Sequence, residues 1–395
     1  MELYSSVWHL ISALLVFLGG ASIAVIIGKR FSASTSRSMT IYCWHTLLCM
    51  VYCWYALTYG GDAISYFKQA EIGGLEFSFG TAGVDYLTAI FVQGLGLSLL
   101  GGFLVFNIFG TIGLQAFDAC LRIATHGKNG NLKKLATLIV FLPSVSFWSS
   151  AIGKDSLSFM AASLALWASL SLGRRWWLMV FSVTVMLLAR PHIAAMMVMA
   201  WAFAVLVSSK LSLGKRASLA IVSSIAVAII LPFALRYAGV GETIDAANLA
   251  EYVEQRQSYN TEGGGGVDIA SMSLPMKLIT YMFRPFIFEV NSVFTLAAAI
   301  DNLILLYLFI MGSKSVFLRK KSGLGESRSF MLAYSLLAWI TLSMTTANLG
   351  IALRQKWMFA PILIFLLISV MGIRNRKKSK APNFSSEVPD HHMSK

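Results

Sequence analysis

About eleven long apolar runs occupy most of the chain, and they restrict its fold more than any other feature. Runs of roughly 17 to 25 apolar residues are typical of membrane-spanning helices, since such a helix crosses the hydrocarbon core with its backbone hydrogen bonds satisfied internally. In this chain 57% of the residues are hydrophobic and only 13% are charged, and a soluble domain cannot bury that many apolar side chains in its core. The sequence therefore predicts an all-α polytopic membrane protein with about eleven transmembrane helices. The predicted spans are 6–27, 39–59, 93–117, 136–152, 155–173, 177–189, 192–208, 217–236, 292–312, 329–348 and 357–373.

The distribution of basic residues predicts how these helices are oriented. Of the 32 lysines and arginines, 23 lie in alternate connections or in the tail, so they fall on one side if the chain alternates across the membrane. By the positive-inside rule this side is the cytoplasm. The N-terminus is then expected outside and the C-terminus in the cytoplasm. One transmembrane domain is expected over 1–375, followed by a basic, polar cytoplasmic tail over 376–395.

The opposite side carries most of the acidic residues and the longest connections. Of the 18 aspartates and glutamates, 13 fall there. Two outer loops, at about 60–92 and 236–291, are long, and loops of this length are uncommon unless they are functional or disordered. The second loop contains a glycine run, 263–266, that offers a hinge. We therefore expect the chemistry of this protein on its outer face.

A charged pair, Lys154 and Asp155, interrupts the apolar segment 136–173. This segment is too long for one span, so it predicts a helical hairpin whose outward tip carries the pair. Gly153 permits the turn, and Asp155 is suited to cap the helix that follows, where the helix dipole favours a negative charge. The pair is explained equally well as a structural cap and as part of a site.

Other charged residues lie at further outward ends of the predicted spans, which converge on one rim in a helical bundle. Charges there are costly unless they are paired or lie in a wet cavity, so a cluster indicates function. Cations suit a phosphate or pyrophosphate, which Arg binds bidentately, and a neighbouring carboxylate suits a general base. Any single Arg or Lys is also explained by snorkelling to the membrane surface. The candidate catalytic residues are Asp62, Asp155 and Lys154, and the candidate substrate- and phosphate-binding residues are Arg190, His192, Arg256, Arg284, Glu289, Arg354 and Lys356.

No motif predicts a cofactor with certainty. The glycine run lacks the Lys-Ser/Thr of a nucleotide-binding loop, and there is no Rossmann fingerprint. Asp62 and Asp85 could share a divalent cation, but two acids 23 residues apart are explained as well by Asp85 in a turn or cap. Nucleic acid is not expected as a partner, because the topology signal accounts for the net charge of +14.

Several short motifs resemble those of the GT-C class of membrane glycosyltransferases, which use lipid-linked sugars on the outer or lumenal face. The family pattern has an acidic residue in the first large outer loop, as in GGDAISY at Asp62. A hairpin tip follows, as in LPSVSFWSSAIGKDSLSF, and then an Arg at an outward helix end, as in LLARPH. The segments FRPFIFEVN and RQKWMFAP resemble parts of integral membrane proteins from exopolysaccharide, capsule and O-antigen gene clusters. The resemblance covers roughly residues 40–375, with one departure: the acidic loop follows the second span rather than the first.

The resemblance implies a glycosyltransferase of a bacterial cytoplasmic (inner) membrane that polymerises cell-surface polysaccharide repeat units. Its donor and acceptor would be polyprenyl-(pyro)phosphate-linked saccharides, and a chain-length regulator is a candidate partner. Asp62 matches the loop carboxylate that serves as base in such enzymes, and Lys154, Asp155 and Arg190 match the outer-rim residues after it. Arg190, Arg284 and Arg354 are then expected to hold the phosphate.

Two other functions stay open on the sequence. A flippase or exporter of the lipid-linked oligosaccharide needs cations inside the bundle, whereas most cations outside the predicted cytoplasmic side lie at helix ends. A polysaccharide acyltransferase often needs an intramembrane His, for which His192 is the only outward candidate. Asp301, an isolated acid within the ninth span, is typical of a transporter, but packing beside Asn302 explains it as well.

Overall fold

The chain folds into helices joined by short connections. A computed structural model describes residues 3–207, 213–238, 265–317 and 328–372, and no β-strand occurs within these ranges. The all-α class predicted from the sequence is confirmed for them. The helices are α1 (Val7–Arg30), α2 (Thr35–Tyr59), α3 (Asp62–Ile72), α4 (Thr81–Val92), α5 (Leu99–Ala124), α6 (Gly130–Val140), α7 (Pro143–Trp148), α8 (Lys154–Ser169), α9 (Leu172–Ala189), α10 (Pro191–Val207), α11 (Leu213–Ala238), α12 (Leu274–Phe283), α13 (Val293–Phe317), α14 (Arg328–Thr345), α15 (Leu349–Gln355) and α16 (Ala360–Val370).

Five of the described helices are long and apolar enough to cross a membrane: α1, α5, α9, most of α11 and most of α13. Together α15 and α16 qualify as a sixth span, bent by 64° at a break. The predicted count of eleven is not confirmed. Each predicted run overlaps a helix, but α8 and α10 have only 16 and 17 residues, and α6 ends before the six-residue α7 begins.

The first predicted outer loop, 60–92, is largely helical. Its α3 buries Ala63, Tyr66, Phe67 and Ala70, which share one helix face because they recur at three- and four-residue spacing. In the second loop the described part contains α12 and a short 3₁₀ turn, Ile287–Glu289. Residues 239–264, with half of the glycine run, and the predicted tail lie outside the described residues.

Basic side chains gather at one end of the bundle, called the basic end below. Arg122, near the end of α5, donates to the carbonyl oxygen of Phe31, which follows α1, at 2.7 Å. Lys128 donates to the carbonyl oxygens of Ile368 and Ser369 in the last turn of α16, both at 2.8 Å. These cations satisfy carbonyl groups that a helix end leaves without partners. The C-terminal ends of α1, α5 and α16 therefore meet at the basic end.

The centre of the bundle is formed by α5 and α8. A Cβ atom on Gly113 of α5 would lie 2.8 Å from the Cα atom of Met160 in α8, and small residues at such crossings permit close approach. His45 of α2 is buried, with hydrogen bonds to Asn107 of α5 at 2.5 Å and to Ser149 at 2.9 Å. This polar bridge joins α2 and α5 to the end of α7, and so holds the turn that precedes α8.

Candidate functional site

A cavity of about 630 Å³ lies at the end of the bundle opposite the basic end. The two ends are joined by α8, since Lys154 at its start lines the cavity and Trp167 near its end contacts Phe31 at the basic end. We call the end with the cavity the cavity end. The polar and aromatic lining consists of Tyr52, Asp62, Tyr66, Thr81, Trp148, Lys154, Asp155, Arg190, His192, Tyr237, Thr341, Thr345, Thr346, Arg354 and Gln355.

Six of the site residues predicted from the sequence line this one cavity. The first residue of α3 and the first two of α8 supply three of them. The junction of α9 with α10 supplies two more, and the last turn of α15 supplies the sixth. The structure therefore brings together helix termini that are far apart in the sequence. The six residues are Asp62, Lys154, Asp155, Arg190, His192 and Arg354.

Glycine turns place two of these termini in the cavity wall. Gly61, before α3, has φ of 135°, and Gly153, before α8, has φ of 148°. Residues with a side chain rarely adopt this conformation. A Cβ atom on Gly153 would also lie 3.4 Å from the ring of Tyr66. Because the chain reverses at these glycines, Asp62 and Lys154 are the first helical residues and lie at the wall.

The two carboxylates of the cavity each pair with an arginine. Arg190 Nη2 lies 2.6 Å from Asp155 Oδ1, and both side chains are mostly buried. Arg354 Nη1 lies 2.6 Å from Asp62 Oδ2, and the Asp62 side chain is 62% exposed. Asp62 is therefore the more accessible carboxylate. With Lys154, three cations face two carboxylates in the lining, so the cavity has a surplus of positive charge that suits an anionic group.

Two hydroxyl groups that the sequence did not indicate hold Lys154. Its Nζ atom donates to Thr81 Oγ1 at 2.6 Å and to Tyr237 Oη at 3.1 Å. The Tyr237 ring stacks on His192 with centroids 6.2 Å apart. Tyr237 Oη also lies 3.4 Å from Thr81 Oγ1, so the two hydroxyl groups and the ammonium group form one cluster. No local pattern predicts these partners, since they depend on how α4 and α11 pack against α8.

Aromatic rings form another part of the cavity wall. The guanidinium of Arg354 lies 5.9 Å from the centre of the Trp148 ring, within the range of a cation–π interaction. Tyr52 stacks on Phe147 at 4.4 Å and meets Trp148 edge-on at 5.4 Å. Such ring faces suit the apolar faces of a sugar.

The cavity becomes apolar away from its charged rim. Met196 and Met199 of α10, Leu231 of α11 and Leu337 of α14 line this part. Met199 comes eight residues after Pro191, the first residue of α10, which corresponds to about 12 Å along the helix axis. The site thus combines a charged rim with an apolar depth.

Arg284 and Glu289 do not line the cavity. They form an ion pair with each other, and Glu289 also accepts from the Phe286 N–H at 2.7 Å. Burial alone would raise the pKa of Glu289, but the hydrogen bonds from Arg284 and Phe286 lower it below its ordinary value. The pair stabilises the turn between α12 and α13. The expected grouping of Arg284 with Arg190 and Arg354 is therefore not found.

Lys356 is also absent from the cavity, because it points into the helix bundle. It is fully buried, and its Nζ atom donates to Asn302 Oδ1. The neighbouring Asp301 accepts from the Ser144 N–H at 2.6 Å, and Asn302 Nδ2 donates to the carbonyl oxygen of Pro285 at 3.2 Å. We call Asp301, Asn302 and Lys356 the buried polar node.

The buried polar node holds three places where a helix breaks. Ser144 is the second residue of α7, just after the break from α6. Pro285 follows the end of α12, and Lys356 lies between α15 and α16. A break leaves backbone groups without helical partners, which is costly away from water. Two of the three segments carry cavity residues, Trp148 on α7 and Arg354 on α15. The node therefore supports the cavity wall from within the bundle.

The remaining predicted residues do not form a metal site in the described part of the chain. Asp85 lies buried on α4 and does not line the cavity with Asp62. Burial raises the pKa of Asp85, although the positive charge of Lys154 opposes this. No group of three or more His, Cys, Asp and Glu side chains among the described residues could hold a metal ion. Arg256 lies outside the described residues.

No protein-family model, curated protein or solved structure matches this chain. The likeness to GT-C glycosyltransferases rests on the short sequence motifs alone. The charges, hydroxyl groups and apolar side chains of the cavity therefore carry the functional proposal.

Proposed function

We propose that this protein transfers a glycosyl group from a polyprenyl-(pyro)phosphate-linked saccharide to an acceptor saccharide, and that repetition of this step polymerises the repeat units of a bacterial cell-surface polysaccharide. One observation carries the proposal: a single cavity joins a rim of three cations and two carboxylates to an apolar depth. The rim matches a phosphate next to a sugar. The depth matches the first isoprene units of a lipid carrier.

The cations of the rim would hold the phosphate of the donor. Arg190 and Arg354 present guanidinium groups, which bind phosphate oxygens in a planar, two-pronged geometry. Lys154 takes the place that the sequence suggested for Arg284. Together they stabilise the negative charge that develops on the departing phosphate, and a preorganised arrangement of this kind is among the largest contributions to catalysis.

Asp62 would act as the general base. Its carboxylate is the more exposed of the two, and one oxygen pairs with Arg354. It takes the proton of the acceptor hydroxyl while that oxygen bonds to the anomeric carbon of the donor. The bond from this carbon to the phosphate oxygen breaks, and its electron pair leaves with the polyprenyl (pyro)phosphate. A single displacement of this kind inverts the configuration at the anomeric carbon.

The reaction would take place on the outer face of the bacterial cytoplasmic membrane. The basic end would lie in the cytoplasm by the positive-inside rule, so that the cavity end would face outward. The N-terminus is then outside and the tail is cytoplasmic. The lipid-linked donor reaches the cavity laterally from the bilayer.

One observation favours a second function, the translocation of the lipid-linked saccharide. Transporters place ionisable groups and broken helices near the middle of the membrane. The buried polar node combines an acid, a lysine and three broken segments inside the bundle. Enzyme and transporter differ in their product, since only the enzyme lengthens the saccharide.

The first test compares polysaccharide chain length in cells that carry the wild type, a deletion, Asp62→Asn or Lys154→Gln, with protein levels checked. Glu71→Gln is the matched control, because Glu71 is an exposed acid of α3 outside the cavity lining. Loss of a general base lowers a rate on the order of 100-fold or more. We expect the deletion and both cavity variants to leave single, unpolymerised repeat units, and the control to make chains of normal length.

Other results would contradict the proposal in distinct ways. If the deletion abolishes even the first repeat unit at the cell surface, the protein is a flippase or an earlier glycosyltransferase. Movement of the lipid-linked saccharide across liposomes by the purified protein, without a change in its length, would identify the transporter. Normal chain length in both cavity variants would exclude the cavity as the site.

A further inference from the structure

A second cavity lies at the basic end, far from the proposed catalytic site. It has a volume of about 380 Å³ and lies between the start of α2, the end of α5 and α6. Its charged lining consists of Arg37, Asp118, Arg122, His126 and Lys133. Three fixed cations, Arg37, Arg122 and Lys133, face one carboxylate, so this basic pocket carries a surplus of positive charge.

A buried carboxylate fixes the two arginines of the basic pocket. The Asp118 side chain is 1% exposed and accepts from Arg37 Nη2 at 2.5 Å and from Arg122 Nε at 2.9 Å. Arg122 also donates to the carbonyl oxygens of Phe31 and Ser32. About a third or less of each arginine side chain is exposed, and the two guanidinium groups are held in the pocket wall. A rigid cationic wall of this kind suits an anion, because little side-chain freedom is lost on binding.

An apolar groove of about 580 Å³ adjoins the basic pocket. It runs along α2, where Met39, Cys43 and Leu47 recur at four-residue spacing and face outward from the bundle. Trp44 and Phe141 close its inner side, with ring centroids 6.2 Å apart. From Met39 to Leu47 the groove extends about 12 Å along the helix axis.

The pocket and the groove share the same side of α6. Lys133 and Thr137 line the pocket, and Phe141, four residues further on, lines the groove. Residues at this spacing lie on one helix face. On α2, Arg37 lines the pocket and its neighbour Ser36 the groove. The two cavities are therefore consecutive parts of one elongated surface, with a cationic head and an apolar stem.

We infer that this surface binds an anionic phospholipid of the leaflet at the basic end, with the headgroup phosphate in the basic pocket and an acyl chain along the groove on α2. The surplus positive charge selects a headgroup with net negative charge, and basic pockets between membrane helices are typical sites for such headgroups. A zwitterionic headgroup is disfavoured, because its own positive charge would be repelled by the two arginines and Lys133. A free phosphate would leave the apolar groove uncovered, whereas the acyl chain of a lipid covers it. The inference does not depend on the proposed enzymatic function.

The test uses the purified full-length protein in a neutral detergent, titrated with phosphatidylglycerol, with phosphatidylcholine of the same acyl chains, or with glycerol phosphate. Bound lipid is counted by native mass spectrometry. We expect phosphatidylglycerol to bind with a stoichiometry near one at low concentration, and the other two probes to bind at least tenfold more weakly. Equal binding of both lipids would overturn the charge argument. Equal binding of glycerol phosphate would overturn the role of the groove.

Two variants test the two halves of the surface. Lys133→Gln removes an exposed pocket cation and should weaken phosphatidylglycerol binding about fivefold, which corresponds to about 1 kcal/mol. Lys134→Gln is its matched control, because Lys134 is also exposed but does not line the pocket. Cys43→Trp fills the groove and should weaken binding without a change in pocket charge. An equal effect of the two lysine variants, or unchanged binding in Cys43→Trp, would refute the assigned site.

Discussion

The buried polar node is the place where one substitution should destabilise this protein most. Lys356 is fully buried and donates to Asn302, and its charge interacts with that of Asp301. Lys356→Met keeps a similar length and removes the ammonium group. Asp301 is then left as an uncompensated buried carboxylate, and Asn302 loses its donor. Leaving a buried carboxylate without a nearby compensating cation costs at most about 3–5 kcal/mol.

The stability of the purified protein in detergent measures this effect through its thermal denaturation. A loss of 3–5 kcal/mol corresponds to a decrease in Tm on the order of 5–15 °C. Asp301→Leu should cost at least as much, because it also leaves the Ser144 N–H at the start of α7 without its acceptor. The double variant should recover much of the loss, since replacing both partners of a buried charged pair by apolar residues is often nearly neutral.

The outcome separates the node from ordinary side-chain packing. Lys314→Met is the control, because Lys314 is an exposed lysine on α13, the helix that carries Asp301 and Asn302. Loss of Lys314 should change the free energy of unfolding by about 0.5 kcal/mol or less. Additive losses in the double variant would show that Asp301 and Lys356 do not act as a pair. A Tm for Lys356→Met within 2 °C of the wild type, roughly 1 kcal/mol or less, would refute the assignment of a buried, charged lysine.

Three further predictions concern the cavity and its surroundings. Tyr237→Phe removes an acceptor of the Lys154 ammonium. The proposed polymerisation should slow about tenfold at unchanged protein level, as expected for a hydrogen bond to a charged group, and an unchanged rate would exclude Tyr237 from the site. Gly80→Ala should lower the free energy of unfolding by about 1–3 kcal/mol, measured by thermal denaturation, because the new Cβ atom overlaps the Tyr237 ring and φ is +92°. Gly74→Ala is the control and should cost less, because Gly74 has φ of +70° but open space around it. Glu289→Gln should lower Tm at neutral pH. The pKa of Glu289 is lower in the folded protein than in the unfolded chain, where it is about 4.3. The Glu289 carboxylate therefore stabilises the folded protein fully above the unfolded pKa, and this stabilisation is lost as the pH falls through the folded pKa. A Tm difference between variant and wild type that does not shrink below about pH 4 would contradict this.

Much of the architecture was predictable because membrane helices are encoded locally. The apolar runs overlap the helices of the structure, and six of the ten site residues predicted at their ends line the cavity. Gly153 followed by Lys154 and Asp155 predicted a turn and a helix start, and α8 begins at Lys154. The sequence does not predict α3 and α4, because a connection of about thirty residues between apolar runs is typical of a loop, although α3 has an amphipathic pattern. The break between α6 and α7 lies inside one predicted run, although Pro143 at the first position of α7 is a local signal for a helix start.

The sequence by itself determined the class of the protein, the approximate ends of its helices and the charged residues available to a site, because these depend on apolar content and on neighbouring residues. Only the tertiary structure decided which of those residues meet. Arg354 pairs with Asp62 across 292 positions, whereas Lys356, two residues after Arg354, points into the bundle. Residues two positions apart on a helical turn do not face the same way, so one side chain reaches the cavity while the other meets Asn302 on another helix. The partners of Lys154 likewise depend on how α4 and α11 pack. Contacts between distant helices follow from the shape of the whole bundle, which no local pattern of residues records.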